Sequence, residues 1–181
     1  MIPEDFHTHN LAAAPGSAIV NSPREALLAP SGFSLAEGGT YSVGIHPWWT
    51  ESEEEIANMW KNVETWAEKQ QVVAIGECGF DRLRGDFEAQ KRLFPLHVRL
   101  SERLEKPLTI HCVRAFDLLL AAKKELKPRM TWTIHGFRGR PTLARQLLDA
   151  GFDLSFGTRY NPESFSITPP SRRHTETDDN F

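Results

Sequence analysis

The sequence predicts an α/β protein built as a (β/α)8 TIM-type barrel, compact and with no room for a last helix. Three observations carry that expectation. Short β-rich runs alternate with helical ones along the chain, the pattern of a parallel sheet with covering helices. There are eight such β-rich runs, and polar residues collect at their C-terminal ends, which converge on one face in a closed barrel. No G-x-G-x-x-G and no P-loop follows any of them, which argues against a doubly wound nucleotide-binding sheet.

The first strand is expected over 2–7, ending on His7. A second over 18–21 leads into a short helix over 23–29, after which residues 30–40 are rich in Gly, Ser and Pro and read as loop. A strand over 41–46 precedes a helix over 51–70, where Ile56, Trp60, Val63, Trp66 and Ala67 fall on one stripe. The strand over 72–77 leads to a helix over 86–105 that repeats Leu93, Leu96, Leu100 and Leu104 in the same way. A strand over 108–111 is followed by a helix over 114–126. The strand over 131–135 is followed by one over 141–150, with Pro141 at its start and Gly151 just past its end. After a strand over 152–156, residues 157–171 contain three prolines and are read as largely non-helical. A weak eighth strand over 172–178 completes the pattern. Against about 250 residues for a usual barrel, 181 residues make a lean single domain over 1–181. A missing last helix would bare apolar helix faces, so either marginal stability or self-association is expected, giving a monomer or weak homo-oligomer.

Bulk composition is that of a soluble globular chain, 40% hydrophobic and 25% charged. The net charge of −3 supplies no long-range attraction for nucleic acid, so a phosphate-bearing substrate would need local Arg or Lys groups or metal ions. Two cysteines, Cys78 and Cys112, make no disulfide framework and suit a reducing compartment. The start MIPEDFHTHN lacks the basic and apolar regions of a signal peptide, and no apolar run approaches the ~18 residues of a membrane span. A cytoplasmic protein without membrane contact is expected.

The histidines are the informative residues. Five of the seven end or follow a predicted strand: His7, His9, His46, His111 and His135. Glu77 and Asp178 occupy comparable positions on two others. In His7-Thr8-His9, period-2 alternation points both imidazoles to one side of the strand. Imidazoles and carboxylates gathered at one barrel mouth are ligands for Zn²⁺, Mn²⁺ or a related divalent ion. Glu77 closes an apolar strand, where a buried carboxylate is costly unless paired or metal-bound. His111 and His135 end two strands that read Leu-Thr-Ile-His and Thr-Trp-Thr-Ile-His, equivalent places in two successive units.

The series DFHTHN, VGIHPW, AIGECGFD, Phe87/Gln90/Phe94/His97, KPLTIHCVRA, TIHGFRG, DLSFG and TETD resembles the TatD family of metal-dependent hydrolases, in the family's order from residue 5 to 178. The resemblance implies a barrel with two divalent metal ions (Mg²⁺, Mn²⁺ or Zn²⁺) that acts on phosphodiester bonds, several members being DNases. Carried over by position, it implies that His7, His9 and Asp178 hold one metal, that His111 and His135 hold the other, and that Glu77 bridges them. A bridging carboxylate keeps two ions ~3.5–4 Å apart, and a hydroxide held between them near neutral pH is the expected nucleophile. Asp178 is the candidate to orient or deprotonate that water, making Asp178 and Glu77 the expected catalytic pair.

Asp81 matches the family's G-x-D segment and is expected to orient a ligand histidine. Arg114 and Arg138, three residues beyond His111 and His135, are placed to meet phosphate with guanidinium forks. His46 is expected either to touch substrate or to satisfy hydrogen bonds at its strand end. His97, mid-helix, reads as structural. Trp48 and Trp49 could stack on bases or simply pack, and neither cysteine has a partner for thiol catalysis.

Departures from the family pattern thin the loops: the excursion from His9 to His46 is short, and H-G-F-R-G stands where H-C-F-S-G is common. Asp-Asn-Phe follows Asp178 in place of Ala/Ser-Pro-Tyr. The substrate is expected to be nucleic acid or another phosphodiester. The alternatives are an amidohydrolase-like deacylase or deaminase, whose metals are often bridged by a modified lysine where this chain offers Glu77, and a degenerate, non-catalytic barrel.

Overall fold

The computed structural model describes residues 2–178; Asp179-Asn180-Phe181, where the family pattern breaks off, lie outside the described residues. Eight parallel strands close into a barrel in chain order. They are β1 (Asp5–Thr8), β2 (Ala18–Asn21), β3 (Thr40–Val43), β4 (Val72–Asp81), β5 (Leu108–Val113), β6 (Trp132–Ile134), β7 (Phe152–Phe156) and β8 (Arg173–Thr175). β8 closes the ring by pairing Thr175 with Asp5. The covering helices are α1 (Arg24–Leu28), α2 (Glu53–Ala67), α3 (Phe87–Leu104), α4 (Phe116–Leu126), α5 (Pro141–Asp149) and α6 (Pro162–Ile167).

Most elements sit where the sequence pattern puts them, with shorter ends. Two strands are longer. β4 and β5 run past Glu77 and His111, pairing Gly79 with His111 and Asp81 with Val113, so this pair rises above the rest of the rim. The stretch 157–171, expected to be largely non-helical, contains α6. Asn161 caps it by accepting the Ser164 N–H at 3.0 Å, and Pro162 occupies the first turn, where its missing N–H costs nothing.

The core lies between strands and helices. On α2 the buried stripe is Ile56, Met59, Val63, Trp66 and Ala67, so Met59 takes the fully buried place expected of Trp60. Phe94 of α3 meets Phe80 and the edge of Trp132, ring centroids 4.8 and 5.2 Å apart, tying α3 to β4 and β6. The outer faces of β1 and β8 carry polar groups: Thr177 donates to Asp5 through both its N–H and its hydroxyl, and Thr175 donates to the Glu4 carbonyl. The large exposed apolar side chains among the described residues (Ile2, Leu11, Leu83, Leu126 and Tyr160) belong to different loops and helices. No described helix is long and apolar enough to cross a membrane.

Two bulges aim the strands that matter most. In β1, the three steps from Asp5 to Thr8 oppose two on β2. In β4, the three from Ile75 to Cys78 oppose two on β5, and Glu77 sits in that extra step. Gly76 makes the second bulge possible. Its φ is +138°, and a Cβ there would lie 2.3 Å from the Thr109 carbonyl oxygen. On the other side, a Cβ on Gly44 would come within 2.8 Å of the Gly76 Cα, so β3 and β4 touch backbone to backbone. Gly76→Ala is therefore expected to cost at least about 3 kcal/mol, by combining a forbidden φ with a backbone clash. Urea denaturation at neutral pH measures it; a loss below about 1 kcal/mol would contradict this account of the bulge.

His97 joins α3 to the barrel. Its Nδ1–H donates to the Leu93 carbonyl at 2.9 Å and its Nε2 accepts the Ile45 N–H at 2.9 Å, so the neutral imidazole satisfies both. Burial pushes its pKa down to about 4, against a weaker upward pull from the Leu93 carbonyl. Because the folded pKa lies below the unfolded one, stability from this group is complete above pH ~6.5 and is lost as pH falls towards 4, by about 3 kcal/mol in all. His97→Gln should flatten that part of the stability–pH curve. Urea unfolding of both proteins at pH 7 and pH 4.5 tests it, and parallel losses would sink the assignment.

Candidate metal centre

Seven charged or imidazole side chains meet at the C-terminal mouth of the barrel. His7 lies on β1 with His9 just beyond it. His46 follows β3, Glu77 sits in the β4 bulge, His111 is on β5, His135 follows β6 and Asp178 follows β8. Every residue expected to ligate metal is in this group. Glu77 is its centre, 1% exposed, with its two oxygens facing different partners. Oε2 lies 3.2 Å from His7 Nε2 and 3.0 Å from His9 Nε2. Oε1 lies 2.8 Å from His111 Nδ1, 2.7 Å from His135 Nε2 and 3.0 Å from His46 Nε2. Asp178 Oδ2 stands 3.5 Å from His7 Nε2, 3.7 Å from His135 Nδ1 and 3.8 Å from His9 Nε2.

The hydrogen-bond pattern tests whether a cation suits this cluster. His111 offers both ring nitrogens to carboxylates, Nδ1 to Glu77 and Nε2 to Asp81 Oδ2 at 2.9 Å. His135 does the same, Nε2 to Glu77 and Nδ1 to Glu176 Oε1 at 3.2 Å. A neutral imidazole has one N–H, so each ring must either be protonated or share a cation with Glu77. With Asp81 and Glu176 taking the outer N–H groups, the inner nitrogens face Glu77 as lone pairs. This is the carboxylate–histidine–metal arrangement. His7 points the same way: fully buried, neither nitrogen has a well-formed hydrogen bond among the described residues, although Nε2 is close to Glu77. The residues fit divalent cations in two sets that share Glu77. By proximity these are His7, Glu77, His135 and Asp178 on one side and His46, Glu77 and His111 on the other, with His9 Nε2 also beside Glu77 Oε2.

His46 is different. Its Nδ1 accepts the Trp48 N–H at 3.0 Å, which places the proton on Nε2 and makes it a donor to Glu77 Oε1. Proximity alone groups His46 with Glu77 and His111 as a ligand set; the tautomer argues against that and leaves it a hydrogen-bonding role. Burial lowers its pKa, opposed by Glu77, and keeps the ring neutral.

Electrostatics follow the same geometry. Burial would raise the Glu77 pKa, but the surrounding imidazoles, His135 and His46 first, hold it well below the carboxylate range. Burial would lower the His135 pKa, and Glu77 and Glu176 raise it well above 6.5 instead. Asp81 is pulled down to about 2: burial opposes, and hydrogen bonds from His111, Trp48 and the Leu83 N–H prevail. Cys112 borders the site, but burial lifts its thiol to about 12, so it stays protonated.

A cleft of about 780 Å³ opens above Glu77. Arg114 and Arg138, expected to meet phosphate, line it with exposed side chains on its rim. The Trp48 indole N–H donates to Asp81 Oδ2 at 2.7 Å and the Arg84 guanidinium lies 3.6 Å above its ring, so one face of this indole is already covered. Two residues of the site escaped the sequence reading. Glu176 carries the same strand alternation as Asp178, two residues on, which was the available signal. Asn21 ends a strand as the histidines do, and its Oδ1 accepts the Glu77 N–H at 2.8 Å.

The chain has relatives among known proteins. The chain is 32% identical over 148 residues to a metal-dependent hydrolase of Buchnera aphidicola, covering 76% of this chain and 54% of that one. It is 31% identical over 117 residues to the 3'-5' ssDNA/RNA exonuclease TatD of Pantoea ananatis, covering 62% and 44%. The chain thus spans about half the length of these curated relatives. Its backbone superposes on the crystal structure of YjjV, a TatD homologue of Escherichia coli, with a TM-score of 0.74 at 22% identity, covering 98% of this chain and 78% of that one. The family model of TatD-related DNases matches residues 32–179, most of the barrel, and the chain belongs to that family.

Proposed function

We propose that this barrel is a divalent-metal-dependent phosphodiesterase acting on nucleic acid, with His7, His9 and Asp178 holding one ion, His111 and His135 a second, and Glu77 shared between them. The observation that carries the reading is the division of the Glu77 carboxylate, one oxygen facing each set. Two ions of Mg²⁺, Mn²⁺ or Zn²⁺ bound there would supply Lewis acidity for a phosphoryl oxygen and lower the pKa of water. Asp178, which lines the cleft with Oδ2 3.5 Å from His7 Nε2 and 3.7 Å from His135 Nδ1, is the group to orient that water and take its proton. Asp81 and Glu176 hold His111 and His135 in the required tautomers. His46 donates from Nε2 beside Glu77, and Arg114 and Arg138 meet phosphates of the substrate at the rim.

The relative named as a single-strand exonuclease supports a nucleic acid substrate. No lysine lines the cleft, so the modified-lysine bridge of the amidohydrolase-like alternative has no candidate there among the described residues. The free thiols of Cys78 and Cys112 support a cytoplasmic setting.

Metal binding should be visible without turnover. At a hundred times Kd each ion adds about 2.7 kcal/mol, a rise of roughly 5–10 °C in Tm for a chain this long. A melting curve unmoved by Mg²⁺, Mn²⁺ and Zn²⁺ alike would count against the whole centre. Hydrolysis of bis-p-nitrophenyl phosphate, set beside ester and N-acyl substrates, tests the reaction class. Phosphodiester cleavage that needs metal and falls about a thousandfold in Glu77→Ala is expected, as loss of several kcal/mol of charge stabilisation implies. Cleavage of the N-acyl substrate alone would replace this reading with the deacylase one, and no activity with a silent Glu77→Ala would mark a non-catalytic barrel.

A further inference from the structure

Asn21 sits at the end of β2, 1% exposed, beneath the cleft. Its Oδ1 accepts two hydrogen bonds, from the Glu77 N–H at 2.8 Å and from the Ser42 hydroxyl at 3.1 Å. These fix the orientation of the amide, because a flipped group would set its NH2 against the Glu77 N–H. Its Nδ2 is then buried with no partner among the described residues. An unpaired buried donor is disfavoured, yet the oxygen of the same amide is what the bulge requires. The Glu77 N–H belongs to the residue displaced from the β4–β5 ladder, so it lacks the ladder partner that a regular strand would give it. A carboxylate at position 21 would also accept it, but would place a second negative charge beside Glu77. An aliphatic residue would leave the N–H unsatisfied and Glu77 free to rotate with its bulge. An amide accepts without adding charge.

We infer that Asn21 is a positioning residue for the metal centre: by accepting the Glu77 N–H it sets where the shared carboxylate stands between the two ligand sets. The inference rests on the reading of Glu77 as a shared metal ligand. It predicts that Asn21 governs metal affinity while touching no metal itself. Supporting carboxylates and carbonyls around metal ligands change affinity about 10–100-fold when removed, and a backbone anchor for a shared ligand belongs in that range.

Isothermal titration of the metal-free protein with Mn²⁺ tests this in wild type, Asn21→Ala, Asn21→Asp and Glu77→Ala, with circular dichroism as the check on folding. Asn21→Ala is expected to bind Mn²⁺ at least about tenfold more weakly. Asn21→Asp, which keeps the acceptor, should bind within about threefold of wild type or more tightly, since its added charge favours cations. Wild-type affinity in a folded Asn21→Ala overturns the inference while leaving the Glu77 reading intact, provided Glu77→Ala loses binding. If Asn21→Ala does not fold, Asn21→Asp decides: a tenfold loss there would show that the acceptor is not what matters. Should wild type bind no Mn²⁺, or Glu77→Ala bind it unchanged, the metal centre itself fails and the inference with it.

Discussion

A carboxylate at 1% exposure is among the least stable things a barrel can contain, and Glu77 is nearly stripped of solvent at the base of its cleft. Its charge must be met by cations or donors within a few ångströms, and much of the upper barrel is arranged to meet it. Five imidazoles from four strand ends and one loop converge on its two oxygens. The β4 bulge that presents it needs Gly76 at a positive φ, and the close approach of β3 needs Gly44. Below it, Asn21 holds the displaced backbone, and the Ser42 hydroxyl donates to the same Asn21 oxygen. Replacing any of these does not subtract one contact; it leaves a buried charge or a buried N–H without its partner, which is the costlier fault.

The groups behind the rings explain why the imidazoles of the cluster are not equivalent. Asp81 and Glu176 each hold the outer nitrogen of a histidine, and so decide which nitrogen faces Glu77. His46 is held by a backbone N–H, which reverses its polarity and makes it a donor. Similar rings at similar distances therefore have different chemistry, set by what lies behind them. Distance alone does not distinguish a ligand from a hydrogen-bond donor here; the tautomer does.

Much of this was legible in the chain. Alternating elements and polar strand ends were enough for a closed barrel, and His7, His9, Glu77, His111, His135 and Asp178 were recognisable as its polar rim. What remained hidden depends on register and tautomer. The extension of β4 to Asp81 and the two bulges arise from pairing with neighbouring strands, which no local pattern encodes. Asn21 looked like any polar residue closing a strand, because its role is set by a backbone N–H that only the bulge exposes. His46 shared the strand-end position of the other histidines, and only the Trp48 N–H behind it separates it from them. The short helix at Pro162–Ile167 was readable from Asn161-Pro162, but the nearby prolines masked the signal.

The charge arrangement also constrains the order of events on the proposed reading. Glu77 and Asp178 bring two acidic groups to the floor of the cleft, with Glu176 and Asp81 just behind His135 and His111, while Arg114 and Arg138 stand on its rim. A phosphodiester entering over that floor meets negative potential unless protonated imidazoles or bound cations offset it. The rim arginines can attract a phosphate but cannot neutralise a floor they do not touch, since surface charges are screened over about 8 Å at physiological salt. Imidazolium could offset the acids only while each ring keeps its second proton, and those same nitrogens are the ones that face Glu77. Cations and protons therefore compete for one set of lone pairs, so acidification should weaken metal binding and, through it, affinity for the substrate.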